Sequence, residues 1–107
     1  MSISKHDIYH RVTDRLSSVV LNTQKFYEDK ISMGYKCEYA SNGNIIFALS
    51  ATLSNNHNIK IAHTIDMNKL QIYHTMAKRA VDLLIIRVFE GFISEVRKEL
   101  KKLEEDV

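Results

Sequence analysis

From Ile8 onward, apolar and ambivalent residues recur at every third or fourth position: Ile8, Val12, Leu16, Val19, Val20, Thr23, Phe26 and Tyr27. That period matches 3.6 residues per turn and predicts an amphipathic helix. Ser4, followed three residues later by Asp7, supplies a capping-box-like start, and the acid suits the positive end of the helix dipole. The helix is expected to run to about Met33, where Gly34 offers the left-handed residue that stops it.

Between Tyr35 and Ile65 the period falls to two. Tyr35, Cys37 and Tyr39 alternate with Lys36, Glu38 and Ala40. Ser41-Asn42-Gly43-Asn44 is a hairpin signal, because Asn-Gly readily takes the positive φ angles of a type I′ turn. Ile45, Phe47, Leu49, Ala51 and Leu53 share one face of a second strand. After the polar turn Ser54–Asn58, the residues Ile59, Ile61, His63 and Ile65 alternate as a third. Connections this short imply antiparallel pairing.

The stretch from Leu70 to Leu103 then reads as one long helix, capped by Asp66 or Asn68. It carries two apolar stripes. Val81, Ile85, Phe89, Phe92, Val96 and Leu100 (with Leu103 beyond) repeat close to a heptad seam. Leu70, Tyr73, Ala77, Ala80, Leu84 and Val88 face elsewhere and are expected to cover the sheet. A helix apolar on all sides is buried on all sides. The first stripe is therefore expected to join copies of the chain, most simply as a homodimer. Gly91 inside this helix costs about 1 kcal/mol relative to alanine, which points to close approach by another backbone. The predicted fold is α+β in the order α-β-β-β-α: a long helix, a three-stranded antiparallel meander and a second long helix, oligomerising through the last.

Composition narrows the class. The 107 residues, 45% apolar and 26% charged, make one domain spanning 1–107 with enough core to fold. Proline and tryptophan are absent, which favours long elements and short turns. One cysteine excludes an internal disulfide framework, and no apolar run reaches the ~18 residues of a membrane span. A cytoplasmic protein with no membrane partner is expected. A net charge of +2 is too small to mark a nucleic-acid binder by itself.

Candidate chemistry is sparse. His6 and His10 stand four apart on one helical face, the spacing of a zinc pair, but a catalytic zinc needs a third ligand. They read as solvent-exposed histidines. Cys37, mid-strand, reads as a small core residue, since no base is paired with it in sequence. His63 reads as a satisfied histidine at the sheet edge, and Asp82 as an i,i+3/i+4 partner of Arg79 and Lys78. No phosphate loop, catalytic triad or carboxylate pair stands out. The chain is read as a non-enzyme with no catalytic residues, metal or cofactor. Lys36, Lys60, Lys69, Lys78 and Arg79, interspersed with Tyr35, Tyr39 and Tyr73, read first as sheet-solvating lysines and packed tyrosines, and second as a candidate single-strand-binding surface in which aromatics stack bases and lysines meet phosphates.

The segment Lys5-His6-Asp7-Ile8-Tyr9-His10-Arg11-Val12-Thr13-Asp14-Arg15-Leu16 resembles the opening helix of ArdC-type antirestriction proteins. Their N-terminal single-stranded-DNA-binding domain often begins Asp-(Ile/Val)-Tyr, two variable residues, Val-Thr-(Asp/Asn) and an apolar residue. Asp7, Ile8, Tyr9, Val12, Thr13, Asp14 and Leu16 match that pattern. Those domains continue into a segment bearing tryptophan and proline, which this chain lacks, so no binding residue carries over beyond this helix. The resemblance implies a phage or mobile-element protein that acts near DNA. The helix–meander–helix order is also shared with the dimeric, DNA-binding YbaB-like nucleoid-associated proteins, as an analogy of topology. The apolar last helix, the missing catalytic set and the mixed surface make the expected function a small oligomeric regulatory protein that binds and inhibits or organises a protein target. The alternative is a dimeric nucleic-acid-binding accessory.

Overall fold

A computed structural model of the chain describes residues 4–72 and 77–105. Helix α1 (Lys5–Tyr27) begins at Ser4, whose hydroxyl accepts from the His6 N–H at 3.2 Å. Ile8, Val12, Leu16 and Val20 form its buried stripe. The helix does not reach Met33. It stops at Tyr27, passes through a single 3-10 turn (Glu28–Lys30), and Ile31 already belongs to strand β1 (Ile31–Tyr39). The corner is Glu28, held at φ 53° and ψ −121°, a region that favours glycine. Gly34 is a mid-strand residue, and the two-residue alternation starts at Ile31.

β1 pairs with β2 (Ile45–Leu53), and β2 with β3 (Asn58–Ile65), both antiparallel and in unbroken register. The two turns are built alike. Ala40 and Asn44 are bridged by one backbone bond, and Leu53 and His57 by another. The Asn42 side chain accepts from the Asn44 N–H, and Asn55 from the His57 N–H. Only the last central residue of each turn takes positive φ, Gly43 at 86° and Asn56 at 67°. Asn42 is absent from that group, so the first turn is not type I′.

Odd-numbered strand residues face the helices. Ile31, Ile45, Phe47, Leu49, Ala51, Leu53 and Ile65 are all buried there. Even-numbered residues form a face that none of the described helices covers: Lys36, Ala48 and Ala62 make one cross-strand row, and Gly34, Ser50 and Lys60 the next. Helices α2 (Met67–Ile72) and α3 (Ala77–Glu105) complete the chain. Tyr73 lies outside the described residues. Asp66 caps α2 rather than α3, its carboxylate accepting from the Asn68 and Lys69 N–H groups. At about 1.5 Å per residue, the 29 residues of α3 span roughly 43 Å and set the long axis of a molecule 56 Å in extent.

The structure makes the first stripe part of the subunit's own core and divides the second, of which Leu70 and Ala77 are buried as expected. Val81, Ile85, Phe92 and Val96, expected at an oligomer seam, are at most 1% exposed within one subunit. They pack with α1 and the sheet in a single core, against which Phe89 and Leu100 are partly buried. The reason is geometric: α1 and α3 share one face of the sheet and present their bulkiest rows to it. Leu84, Val88 and Ala80, expected to cover the sheet, remain partly open at its rim. Leu83 and Ile86 are 55% and 48% exposed. Among the described residues nothing lies within 4 Å of a Cβ added at Gly91. A neighbouring backbone is therefore not what Gly91 accommodates inside the chain.

Candidate interaction surfaces

The two edges of the sheet differ. On β1 the odd-numbered residues direct N–H and C=O outward, because the Ala40–Asn44 bond marks even pairs as those bonded to β2. Gln24 of α1 fills this edge as a strand would. Its Nε2 donates to the Ile31 carbonyl at 2.6 Å and the Glu28 carbonyl at 2.9 Å. Its Oε1 accepts from the Met33 N–H at 2.7 Å. Further along, the Tyr9 hydroxyl donates to the Cys37 carbonyl at 2.8 Å, and its ring stacks on Tyr39 at 4.7 Å. Partial burial, then the neighbouring Cys37, pushes the Tyr9 phenol upward.

On β3 the Leu53–His57 bond marks odd pairs as those bonded to β2. Lys60, Ala62 and Thr64 therefore direct their backbone groups outward. Among the described residues no side chain bonds to them. Beside this edge runs a groove of about 570 Å³ between β3 and α3, walled by Ile65, Leu70, Ala80, Leu83 and Leu84 and rimmed by His63, Lys69 and Arg87. Edge strands left bare are templates for pairing, and proteins ordinarily shield them. Among the described residues, side chains shield the first edge at Ile31, Met33 and Cys37, and none bonds to the second.

A second, smaller cleft of about 230 Å³ lies on the other side of α3, walled by Phe26, Tyr27, Phe89 and Ile93 with Asn22, Thr23 and Arg97 at its rim. Phe26 is 79% exposed and meets Tyr27 edge-to-face at 5.0 Å. The Tyr27 hydroxyl accepts from Arg97 Nε at 3.4 Å. Sequence reading passed over Phe26 because it falls on the helical period of the core. Its place at the last turn of α1, beyond the end of the sheet's cover, is what leaves it in solvent.

The candidate nucleic-acid surface is not assembled as one patch. Lys36 and Lys60 are exposed on the helix-free face with Glu38, whereas Tyr35 and Tyr39 are on the helix-bearing face. Lys69 belongs to the groove, and Lys78 and Arg79 open α3. Among the described strand residues, no aromatic side chain shares the helix-free face.

The remaining sites resolve individually. Asp82 bonds neither Arg79 nor Lys78. It receives Arg11 Nε and Nη2 at 2.9 and 2.5 Å and Arg15 Nε and Nη2 at 3.2 and 3.3 Å, so it clamps α1 to α3. The Arg11 hydrogen bonds hold its carboxyl below the ordinary carboxylate range. Cys37 is half-buried, and burial followed by the neighbouring Glu38 raises its thiol to about 11, which keeps it a thiol rather than a nucleophile. His6 and His10 are exposed, with their Nε2 atoms 3.0 Å apart. His63 is exposed beside Phe47, ring centres 5.8 Å apart. Among the described residues no three His, Cys, Asp or Glu side chains converge as a metal site, and no helix is long and apolar enough to cross a membrane. Five of the seven residues shared with the ArdC-type opening helix have structural tasks here: Ile8, Val12 and Leu16 fill the core, Tyr9 shields β1, and Thr13 donates to the His10 carbonyl. Comparison with protein-family models, with curated proteins and with solved structures finds no match to this chain.

Proposed function

We propose that this chain is a small, non-catalytic regulatory protein of the kind phages and mobile elements encode, acting as a homodimer that binds a protein target. The observation that carries this reading is Phe26, a large aromatic side chain left in water at the lip of a cleft walled by Tyr27, Phe89 and Ile93. Aromatic anchors beside a pocket and an arginine are what protein contact sites concentrate. The target chemistry that fits is an apolar side chain flanked by a carboxylate for Arg97. A cytoplasmic location goes with a single cysteine held as a thiol.

The test is capture from the native host with wild type, Phe26→Asp and, as control, Leu21→Asp, which changes another exposed apolar residue of α1. A specific target retained by wild type and Leu21→Asp but lost by Phe26→Asp supports the reading. Equal retention by all three removes it. The alternative, a nucleic-acid-binding accessory, draws on the resemblance of residues 5–16 and on Lys36 and Lys60 sharing one open face. Binding to single-stranded or duplex DNA that weakens steeply with salt is its signature, and no binding at low salt ends it.

A further inference from the structure

We infer that a second copy of this chain occupies the open edge of β3, pairing antiparallel about a two-fold axis at Ala62, so that two three-stranded sheets become one of six. This rests on the reading of the protein as a homodimer and names the surface, which is not the Val81–Leu100 stripe.

Three observations lead there. First, Gln24 and Tyr9 occupy the β1 edge at Ile31, Met33 and Cys37, while among the described residues no side chain bonds to the outward groups of β3. Second, β3 keeps register with β2 over eight residues without a bulge, so its outward groups present a regular ladder. It has no proline and a single charged residue, Lys60, few of the devices that discourage edge pairing. Third, the groove alongside exposes Leu83 and Leu84 where another subunit's helix would lie.

Charge and paired length together select the register: an axis at His63 sets Lys60 opposite Asp66 but pairs only residues 61–65 of β3, against 59–65 for an axis at Ala62. Only alignments that set even residues opposite even residues satisfy the outward groups. With the axis at Lys60, two ammonium groups face each other directly. With the axis at Ile61, Lys60 lies diagonal to the partner's Lys60. Like charges at these distances oppose pairing. With the axis at Ala62, Lys60 stands opposite Thr64 of the second copy and diagonal to its Asp66, twice by symmetry. One Asp66 oxygen is committed to capping α2, and among the described residues the other is unbonded. The small Ala62 side chains meet on the axis, and half-buried Ile59 and Ile61 reach Ile65 and His63 of the second copy.

Sedimentation velocity on the full chain, with cross-linking, tests this. Wild type is expected to be a dimer. Ala62→Lys, an exposed change on the helix-free face, should raise the dissociation constant more than roughly tenfold with circular dichroism unchanged. In a Cys37→Ala background, Ala62→Cys should form a disulfide dimer under mild oxidation, since hydrogen-bonded antiparallel partners lie ~5.5 Å apart at Cα, within disulfide reach. Ser54→Cys in the turn should not. A monomeric wild type, its edge left to an extended segment of another protein, overturns both the homodimer and this inference. A dimer that tolerates Ala62→Lys and gives no residue-62 cross-link overturns this inference alone, leaving a homodimer built elsewhere.

Discussion

Removing Gln24 tests how α1 is tied to the sheet. Its amide makes three hydrogen bonds to backbone: to Glu28 and Ile31 carbonyls and from the Met33 N–H. Each such bond contributes about 0.5–1.5 kcal/mol net. The Ile31 and Met33 groups face an edge where water replaces part of what is lost, so Gln24→Ala should cost roughly 2 kcal/mol rather than the full sum. At 4–8 °C per kcal/mol for a domain of this size, the melting temperature should fall by roughly 8–16 °C. Gln24→Glu should fall at least as far, since it keeps the acceptor for Met33 but sets a carboxylate against two carbonyls. One of those carbonyls belongs to Glu28, whose φ of 53° favours glycine, so Glu28→Gly should recover about 1 kcal/mol in either background. Calorimetry of the four variants measures this. A loss under about 0.5 kcal/mol for Gln24→Ala would show that the amide does not hold the edge and that the asymmetry between β1 and β3 is not real.

Other outcomes follow from the same geometry. Asp82→Asn should destabilise by about 1 kcal/mol at pH 7, a discounted figure because both arginine partners reach water. The folded carboxyl lies below its unfolded value near ~3.9, so the contribution is complete above that pH and vanishes as pH falls through the folded value. Wild type and variant should therefore converge in thermal scans below pH ~4, and a constant gap would contradict the assignment. Phe92→Ala should cost about 3–5 kcal/mol by emptying a core position, while Leu83→Ser should leave the subunit's stability within ~0.5 kcal/mol. Equal losses would return the heptad stripe to the surface. Cys37, with its thiol near 11, should alkylate slowly at neutral pH and accelerate up to that value, and rapid modification at pH 7 would refute its burial.

Much of the architecture was readable from periodicity alone. The buried row of β2 and the stripe Ile8, Val12, Leu16 and Val20 are what the spacing indicates, because half-buried strands and helices repeat with different periods. The end of α1 was not, because Ile31 and Met33 satisfy both a helical and a strand spacing. What decides between them is Gln24, whose role depends on bonds formed only once the chain has turned. The burial of Val81, Ile85, Phe92 and Val96 within one subunit was not legible for a related reason. A helix packed on its own sheet and one packed on another subunit present the same apolar spacing. The Arg11–Asp82 clamp joins residues 71 apart and leaves no local signal. Phe26 and the β3 edge emerge only when the cover supplied by neighbouring elements is known.

Amide hydrogen exchange at Lys60, Ala62 and Thr64 tests the central claim most directly. Their N–H groups point away from β2 and, among the described residues, find no acceptor within the subunit. If copies pair along β3, these amides exchange slowly in concentrated solution and quicken on dilution, in step with dissociation. Rapid exchange at every concentration, with Ile59, Ile61 and His63 protected throughout, would mean that the β3 edge stays open to water.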